Sequence, residues 1–238
     1  MMNEKKNDKL IDWYKFTEKI PTIKPDKHFN SHLIKPCSMI SVIGQTGSGK
    51  SSFLVEFLAR KPNSFFEIII FNPVLTDEPL YNLLKSKIAG IKFIDDVADL
   101  PELSSFKDED KNEEKLIVFD DIINLKVKEK QKIQKFYCSA RKFGFTCINL
   151  SQNFTDIPIQ IRRNTQIYIL FRLNDINSIN QILKTHNHLG IPKELIKRMY
   201  LFSTQKKKDF FKIDFTSEEA FAYSHNFIDI LNPMDFVG

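Results

Sequence analysis

A chain of 238 residues is long enough for one α/β domain with a full hydrophobic core and too short for two such domains. Its 42% hydrophobic residues are ordinary for a globular protein, and a formal net charge of +5 permits a nucleic-acid partner without requiring one. No apolar run reaches the roughly 18 residues of a membrane span, so no transmembrane segment is expected. The lysine-rich start lacks the apolar stretch of a secretory signal, and the three cysteines include no C-x-x-C pair. We therefore expect a soluble intracellular protein with reduced thiols.

A phosphate-binding loop is predicted at residues 44–51, which have the spacing G-x-x-x-x-G-K-S. An apolar run at 39–43 precedes it and an amphipathic stretch at 53–59 follows it, as expected for a strand and a helix. Glycines let backbone N–H groups point inward, and the start of the following helix adds positive potential, so the loop would bind the phosphates of ATP. Lys50 is expected to reach the β- and γ-phosphates, and the Ser51 hydroxyl to ligate Mg²⁺. The predicted nucleotide contacts are Gly44, Gln45, Thr46, Gly47, Ser48, Gly49, Lys50, Ser51 and Ser52.

Strands and helices are predicted to alternate along the rest of the chain, which favours a mostly parallel sheet with helices on both faces. The predicted strands are 39–43, 67–71, 91–94, 116–119, 145–150, 166–171 and 210–215. The predicted helices are 53–59, 79–87, 126–141, 176–184, 193–200 and 218–223, the last capped by Ser217. The acidic stretch 108–114 is expected to be a solvent-exposed loop. We divide the chain into an N-terminal extension and strap (1–38), an ATPase domain (39–216) and a C-terminal helix and tail (217–238).

Two carboxylates follow the apolar run 116–119, which is the Walker B pattern of a buried strand that delivers acids at its carboxyl end. Asp120 is expected to hold Mg²⁺ beside Ser51, and Asp121 to orient or deprotonate the attacking water. Gln152 follows the next strand and would contact the γ-phosphate or that water. Two strand-like segments separate the phosphate loop from Asp120. This order is typical of the additional-strand (ASCE) class of P-loop NTPases.

The stretch 140–152, together with Pro158, 161–164 and 167–171, resembles the FtsK/HerA superfamily of DNA-pumping ATPases. The combination of Asp120-Asp121, Arg141-x-x-Gly144, Ser151-Gln152 and Arg162-x-Asn164 carries the resemblance. The small size and the Asp-Asp pair are most similar to the viral genome-packaging ATPases of poxviruses, other large DNA viruses, virophages and membrane-containing phages. The similarity extends from about residue 39 to residue 172.

The resemblance implies a homo-oligomeric ring, with a hexamer favoured, that threads double-stranded DNA through its centre. Arg141 lies where the superfamily supplies an arginine finger to the neighbouring subunit, and Arg162 and Arg163 are alternatives. Lysines after the Walker B strand, namely Lys126, Lys128, Lys130 and Lys132, are candidates for DNA contact, or simply an exposed helix face. The capsid partner would be a vertex or a membrane-associated component, inside the infected cell, and the resemblance allows association with the virion.

Two other functions remain open from the residues alone. A nucleoside or nucleotide kinase fits the length, but no arginine-rich lid is visible and a water-activating acid would work against a kinase. An ATP-gated interaction module without turnover would not need the complete set of catalytic residues, which comprises Lys50, Ser51, Asp120, Asp121 and Gln152. The sequence therefore favours a hydrolytic motor.

Overall fold

The computed structural model describes residues 23–74, 78–106, 112–174, 176–185 and 190–237. Most of the predicted N-terminal extension, residues 1–22, lies outside the described residues. No helix in the described ranges is both long and apolar enough to cross a membrane.

The order of elements follows the predicted alternation. The strands are β1 (Met39–Ile43), β2 (Glu67–Phe71), β3 (Lys92–Ile94), β4 (Lys115–Asp120), β5 (Phe145–Ser151), β6 (Ile167–Phe171), β7 (Phe210–Asp214), β8 (Tyr223–His225) and β9 (Asp229–Ile230). The helices are α1 (Lys50–Arg60), α2 (Pro79–Lys87), α3 (Val127–Ala140), α4 (Ile159–Asn164), α5 (Ile176–Thr185) and α6 (Lys193–Ser203).

All nine strands described form one sheet, in the order β3-β2-β4-β5-β1-β6-β7-β8-β9. The pairings from β3 to β6 are parallel, and those from β6 to β9 are antiparallel. Strand β5 lies between β1, which leads into the phosphate loop, and β4, which ends at Asp120. This additional strand confirms the ASCE arrangement, and it brings the carboxyl ends of β1, β4 and β5 to one edge of the sheet.

Hydrophobic cores lie on both faces of the sheet, as predicted. Along β1, Ile40 and Val42 pack with α1 and α2 on one face, while Met39 and Ile43 pack with α3 to α6 on the other. Because both faces of the parallel strands are covered, these strands are mostly apolar rather than alternating. The continuous apolar runs that marked the strands in the sequence have this origin.

The predicted helix at residues 218–223 is wrong. A short 3-10 turn (Glu219–Phe221) leads instead into β8, which pairs antiparallel with β7 and is followed by β9. The Ser217 hydroxyl does not cap a helix; it donates to Asp214 Oδ2 at 2.6 Å and so stabilises the turn after β7. The ring of Tyr223 is fully buried and stacks on Phe211 with centroids 6.1 Å apart. This tertiary contact outweighs the weak local preference for helix.

Glu114, predicted to lie in an exposed loop, is buried in a polar cluster under the N-terminal strap. Its carboxylate pairs with Lys61 Nζ at 2.6 Å and accepts a hydrogen bond from Thr146 Oγ1 at 2.6 Å. Lys61 also pairs with Asp26 Oδ2 at 2.7 Å, and Asp26 bonds to His32 Nε2 at 3.0 Å. We call Asp26, His32, Lys61, Glu114 and Thr146 the strap network. It joins the strap to the amino-terminal edge of the sheet, opposite the phosphate loop.

Candidate active site

One cleft of about 460 Å³ lies at the carboxyl edge of β1, β4 and β5. It is lined by the residues that the sequence singled out on three separate segments, which include Lys50, Ser51, Asp120, Asp121 and Gln152. The backbone N–H of Gly44 donates to the Ser151 carbonyl at 3.1 Å, so the start of the phosphate loop is fixed to the strand that leads to Gln152.

The phosphate loop has the geometry of an anion cradle. Gly47 (φ +74°) and Gly49 (φ +122°) adopt backbone conformations that disfavour other residues. Helix α1 begins at Lys50, and no side chain in the described part of the protein caps it. The N–H groups of this first turn are therefore available to phosphate oxygens, in the favourable field of the helix N-terminus. These features fit a bound triphosphate.

Lys50 folds back over the loop. Its Nζ donates to the Gly44 carbonyl at 2.6 Å and the Gln45 carbonyl at 3.1 Å. Burial lowers the pKa of Lys50, and the nearby carboxylates of Asp120 and Asp121 act in the opposite direction. The amine can exchange these neutral carbonyls for charged phosphate oxygens, which are stronger partners.

Asp120 is held by two side chains that sequence reasoning missed. Tyr81, on α2, donates its hydroxyl proton to Asp120 Oδ2, and Asn72 Nδ2 lies 3.3 Å from the same oxygen. Burial raises the pKa of Asp120, while the hydrogen bond from Tyr81 and the charge of Lys50 oppose that rise. Burial also raises the pKa of Tyr81, which keeps it a donor. With one carboxylate oxygen oriented in this way and Ser51 in the same cleft, the oxygen ligands suit Mg²⁺.

Asn72 could have been found from its position, because it follows the buried strand β2 at the same edge of the sheet. Tyr81 left no such signal, since only the packing of α2 brings it to Asp120.

Asp121 lies just past the end of β4 in the left-handed conformation (φ +53°, ψ +44°). Such a conformation is uncommon for a residue other than glycine, and it often marks a functional position. Asp121 and Gln152 line the same cleft, at the ends of neighbouring strands. The roles of the two residues stay predictions, and their placement is compatible with both.

The candidate arginine fingers lie in different surroundings. Arg141 is exposed in the 3-10 turn between α3 and β5, at the amino-terminal edge of the sheet. The length of β5, about 20 Å for seven residues, separates it from the cleft. Arg162 lies on α4, where its guanidinium stacks 4.9 Å from the ring centroid of Phe154. Arg163, also on α4, is exposed.

The lysines proposed for DNA contact lie at the start of α3, after the Walker B strand. Lys126, Lys128 and Lys132 are exposed. The side chain of Lys130 instead donates to the carbonyl of Ile123, and the Lys126 N–H donates to Glu129 Oε2 at 2.7 Å. The exposed members keep their charge available to a phosphate backbone, and their role stays a prediction.

Lys208, in the turn before β7, also lines the cleft. A β-carbon built on Gly49 would lie 3.4 Å from Lys208 Cα, so the turn contacts the phosphate loop directly. Asn226 Nδ2 donates to Asp209 Oδ1 at 3.2 Å, which ties this turn to the β8–β9 hairpin. The basic side chain of Lys208 is thus a further cation at the cleft that sequence reasoning did not assign to it.

Comparisons with known proteins identify structures with a similar fold. The genome packaging NTPase B204 of Sulfolobus turreted icosahedral virus 2, solved with sulfate, shares 16% identity and a TM-score of 0.55 over 81% of this chain and 97% of its own. The same protein solved with ATP-gammaS gives 18% identity and a TM-score of 0.53 over 83% and 100%. EssC ATPases 2 and 3 of Geobacillus thermodenitrificans give 12% identity and a TM-score of 0.52 over 83% of this chain and 40% of that one. These similarities show a shared P-loop ATPase fold.

A search of curated protein sequences gives no significant match. The sequence profile of the family described as Poxvirus A32 protein, in contrast, matches residues 26–226, which contain the strap, the cleft and β8. The chain therefore belongs to the Poxvirus A32 protein family, which confirms the predicted resemblance to a protein of poxviruses.

Proposed function

We propose that this chain is an ATP-hydrolysing motor that translocates double-stranded DNA and packages a viral genome into a capsid. The observation that carries the proposal is the convergence of Lys50, Asp120, Asp121 and Gln152 on one cleft, in a member of the Poxvirus A32 protein family. The structurally similar B204 is a genome packaging NTPase.

The cleft residues divide into binding and catalytic groups. The N–H groups of the phosphate loop and Lys50 would hold the β- and γ-phosphates, with Ser51 and Asp120 as the Mg²⁺ ligands. Bound Mg²⁺ would neutralise charge on the β- and γ-phosphate oxygens. Gln152 would orient the attacking water, and Asp121 would accept its proton as the water oxygen bonds to the γ-phosphorus. The bond between the γ-phosphorus and the bridging oxygen breaks, and its electron pair leaves with ADP.

Subunits would cooperate through Arg141. Because about 20 Å separates it from its own cleft, it can serve only the cleft of a neighbour, as in a ring. Arg162 is the weaker candidate, since its guanidinium already stacks on Phe154. Double-stranded DNA would be gripped through its phosphates by the exposed Lys126, Lys128 and Lys132.

The test measures steady-state ATP hydrolysis with and without double-stranded DNA, and the mass of the particle under both conditions. We expect DNA to stimulate hydrolysis and Arg141→Ala to lower it by about 10³-fold or more. Lys142→Ala, which removes the exposed neighbouring charge, is the matched control and should hydrolyse ATP like wild type.

A mixing experiment identifies a finger that acts between subunits. Arg141→Ala subunits keep the catalytic acid, and Asp121→Asn subunits keep the finger. A mixture should therefore hydrolyse ATP faster than the sum of the two alone. The proposal is contradicted if the rate of ATP hydrolysis changes neither with DNA nor in Arg141→Ala. It is also contradicted if the γ-phosphate is transferred to a nucleoside instead of water.

A further inference from the structure

A second polar pocket, of about 260 Å³, lies behind the nucleotide cleft and shares Asp121, Leu150, Ser151 and Gln152 with it. We call it the amide pocket because of its polar lining, which comprises Asp121, Asn124, Asn149, Ser151, Gln152, Asn153 and Asp156. The short 3-10 turns after β4 and β5 form its walls. Within this wall, Asn153 Nδ2 donates to Asp156 Oδ2 at 2.8 Å.

Asn149 lies on β5, two residues before the strand ends, and is completely buried. Neither its amide nitrogen nor its amide oxygen has a hydrogen-bond partner among the residues that the structure describes. The residues paired with Asn149 on the two neighbouring strands do not form hydrogen bonds with its amide. Phe119 on β4 is apolar, and the Ser41 hydroxyl on β1 bonds to Thr165 Oγ1 at 2.8 Å.

A buried amide without a hydrogen-bond partner lowers stability, so the presence of an asparagine at position 149 needs another explanation. An Asn side chain has two N–H donors and one acceptor oxygen, which suit water. A water molecule occupies about 30 Å³ in the liquid, so the pocket has room for several. The pocket therefore has the size and the polar lining of a hydration site, and Asn149 is one of the residues that line it.

We propose that the amide pocket binds ordered water and that Asn149, acting through this water, positions the molecule that attacks the γ-phosphate. The bound water would extend from the buried amide to the opening between Asp121 and Gln152. Asn149 is thus a positioning residue, and this inference rests on the proposed roles of Asp121 and Gln152 in hydrolysis.

The test replaces Asn149 with Leu, which has a similar volume and no hydrogen-bonding group. We expect kcat for ATP to fall at least tenfold, with KM and ADP affinity within twofold of wild type and with an equal or higher Tm. Asn149→Ser keeps a hydroxyl and leaves room for another water, so its kcat should recover to within about threefold of wild type. A purely structural role predicts a lower Tm and no such recovery.

Ser203→Ala is the matched control. Its hydroxyl on α6 is also buried, has no partner in the described part of the chain, and lines neither pocket. Its kcat should equal that of wild type. The inference is overturned if Asn149→Leu keeps a kcat within twofold of wild type, or if Asn149→Ser loses as much kcat as Asn149→Leu.

Asp121→Asn separates this inference from the proposed function. Wild-type hydrolysis by Asp121→Asn would contradict the catalytic role of Asp121. Loss of hydrolysis in Asp121→Asn together with normal hydrolysis in Asn149→Leu would contradict the amide-pocket proposal alone.

Discussion

At the amino-terminal edge of the sheet the charged groups of the strap network have partners, whereas at the carboxyl edge two buried polar side chains have none among the described residues. Lys61 lies between two carboxylates at 2.6 and 2.7 Å, and Glu114 also accepts a bond from Thr146. At the other edge the side chains of Ser48 and Asn149 are buried without a partner among the described residues. Burial there lowers the pKa of Lys50 and raises that of Asp120.

This difference separates stability from activity. The paired, buried charges of the strap network hold the strap in place. Removing one of these groups would leave its partners as buried charges without a counter-charge, which lowers stability. Groups left unpaired cost stability, and a site that must bind phosphates, a metal and water needs free donors and acceptors. Substitutions at the two edges should therefore affect different properties.

The largest effect is expected for Asp121→Gly at the carboxyl edge. Removing the carboxylate should lower ATP turnover by about 10²- to 10⁴-fold. Because glycine adopts the left-handed conformation readily, the free energy of unfolding should stay equal or rise by up to about 1 kcal/mol. Urea denaturation and steady-state hydrolysis measure the two properties.

Asn63→Gly is the control for this prediction, since Asn63 has the same φ of +53° in a turn outside the cleft. It should show normal turnover. A clear loss of stability in Asp121→Gly would show that the Asp121 conformation carries no strain.

At the amino-terminal edge, Lys61→Met should lower the free energy of unfolding by about 3–5 kcal/mol. The substitution leaves the carboxylates of Asp26 and Glu114 buried without their cation. Turnover per folded molecule should not change. Breaking the exposed Glu56–Arg60 pair with Glu56→Gln is the control and should change stability by less than about 1 kcal/mol. An equally small effect of Lys61→Met would contradict a stabilising role for the strap network.

The smallest effect is a pH dependence that comes from His32. Its Nδ1 accepts the Ile34 N–H at 3.0 Å and its Nε2 lies 3.0 Å from Asp26 Oδ2, so the fold holds the neutral ring. Burial lowers the pKa of His32 from 6.5 to about 4, although Asp26 opposes this shift. Between these two pH values the unfolded chain binds the proton and the folded chain does not. Stability should therefore fall as the pH is lowered through this window, by up to about 1.4 kcal/mol per pH unit.

Urea denaturation between pH 4 and pH 8 tests the assignment. The His32→Gln variant should lose this part of the slope, while His225→Gln should keep it. If the free energy of unfolding of His32→Gln depends on pH as steeply as that of wild type, the dependence comes from other groups.

The sequence was enough to predict the fold class and most of the phosphate site. The loop 44–51 is a local motif whose glycines and lysine are adjacent in the chain. Asp120 and Gln152 could be added because they follow buried parallel strands, and the carboxyl ends of such strands meet at one edge. These inferences need only local patterns and one general rule of sheet geometry.

Other features depended on contacts between distant segments. Tyr81 reaches Asp120 through the packing of α2, and the β8–β9 hairpin ties the Lys208 turn beside the phosphate loop. Glu114 looked exposed in an acidic run but is buried by the strap, and Asn149 looked like an ordinary strand residue. Burial and hydrogen bonding depend on what packs against a side chain. The sequence therefore determined the phosphate-loop motif and the candidate catalytic residues, while the tertiary structure alone decided which polar groups are paired.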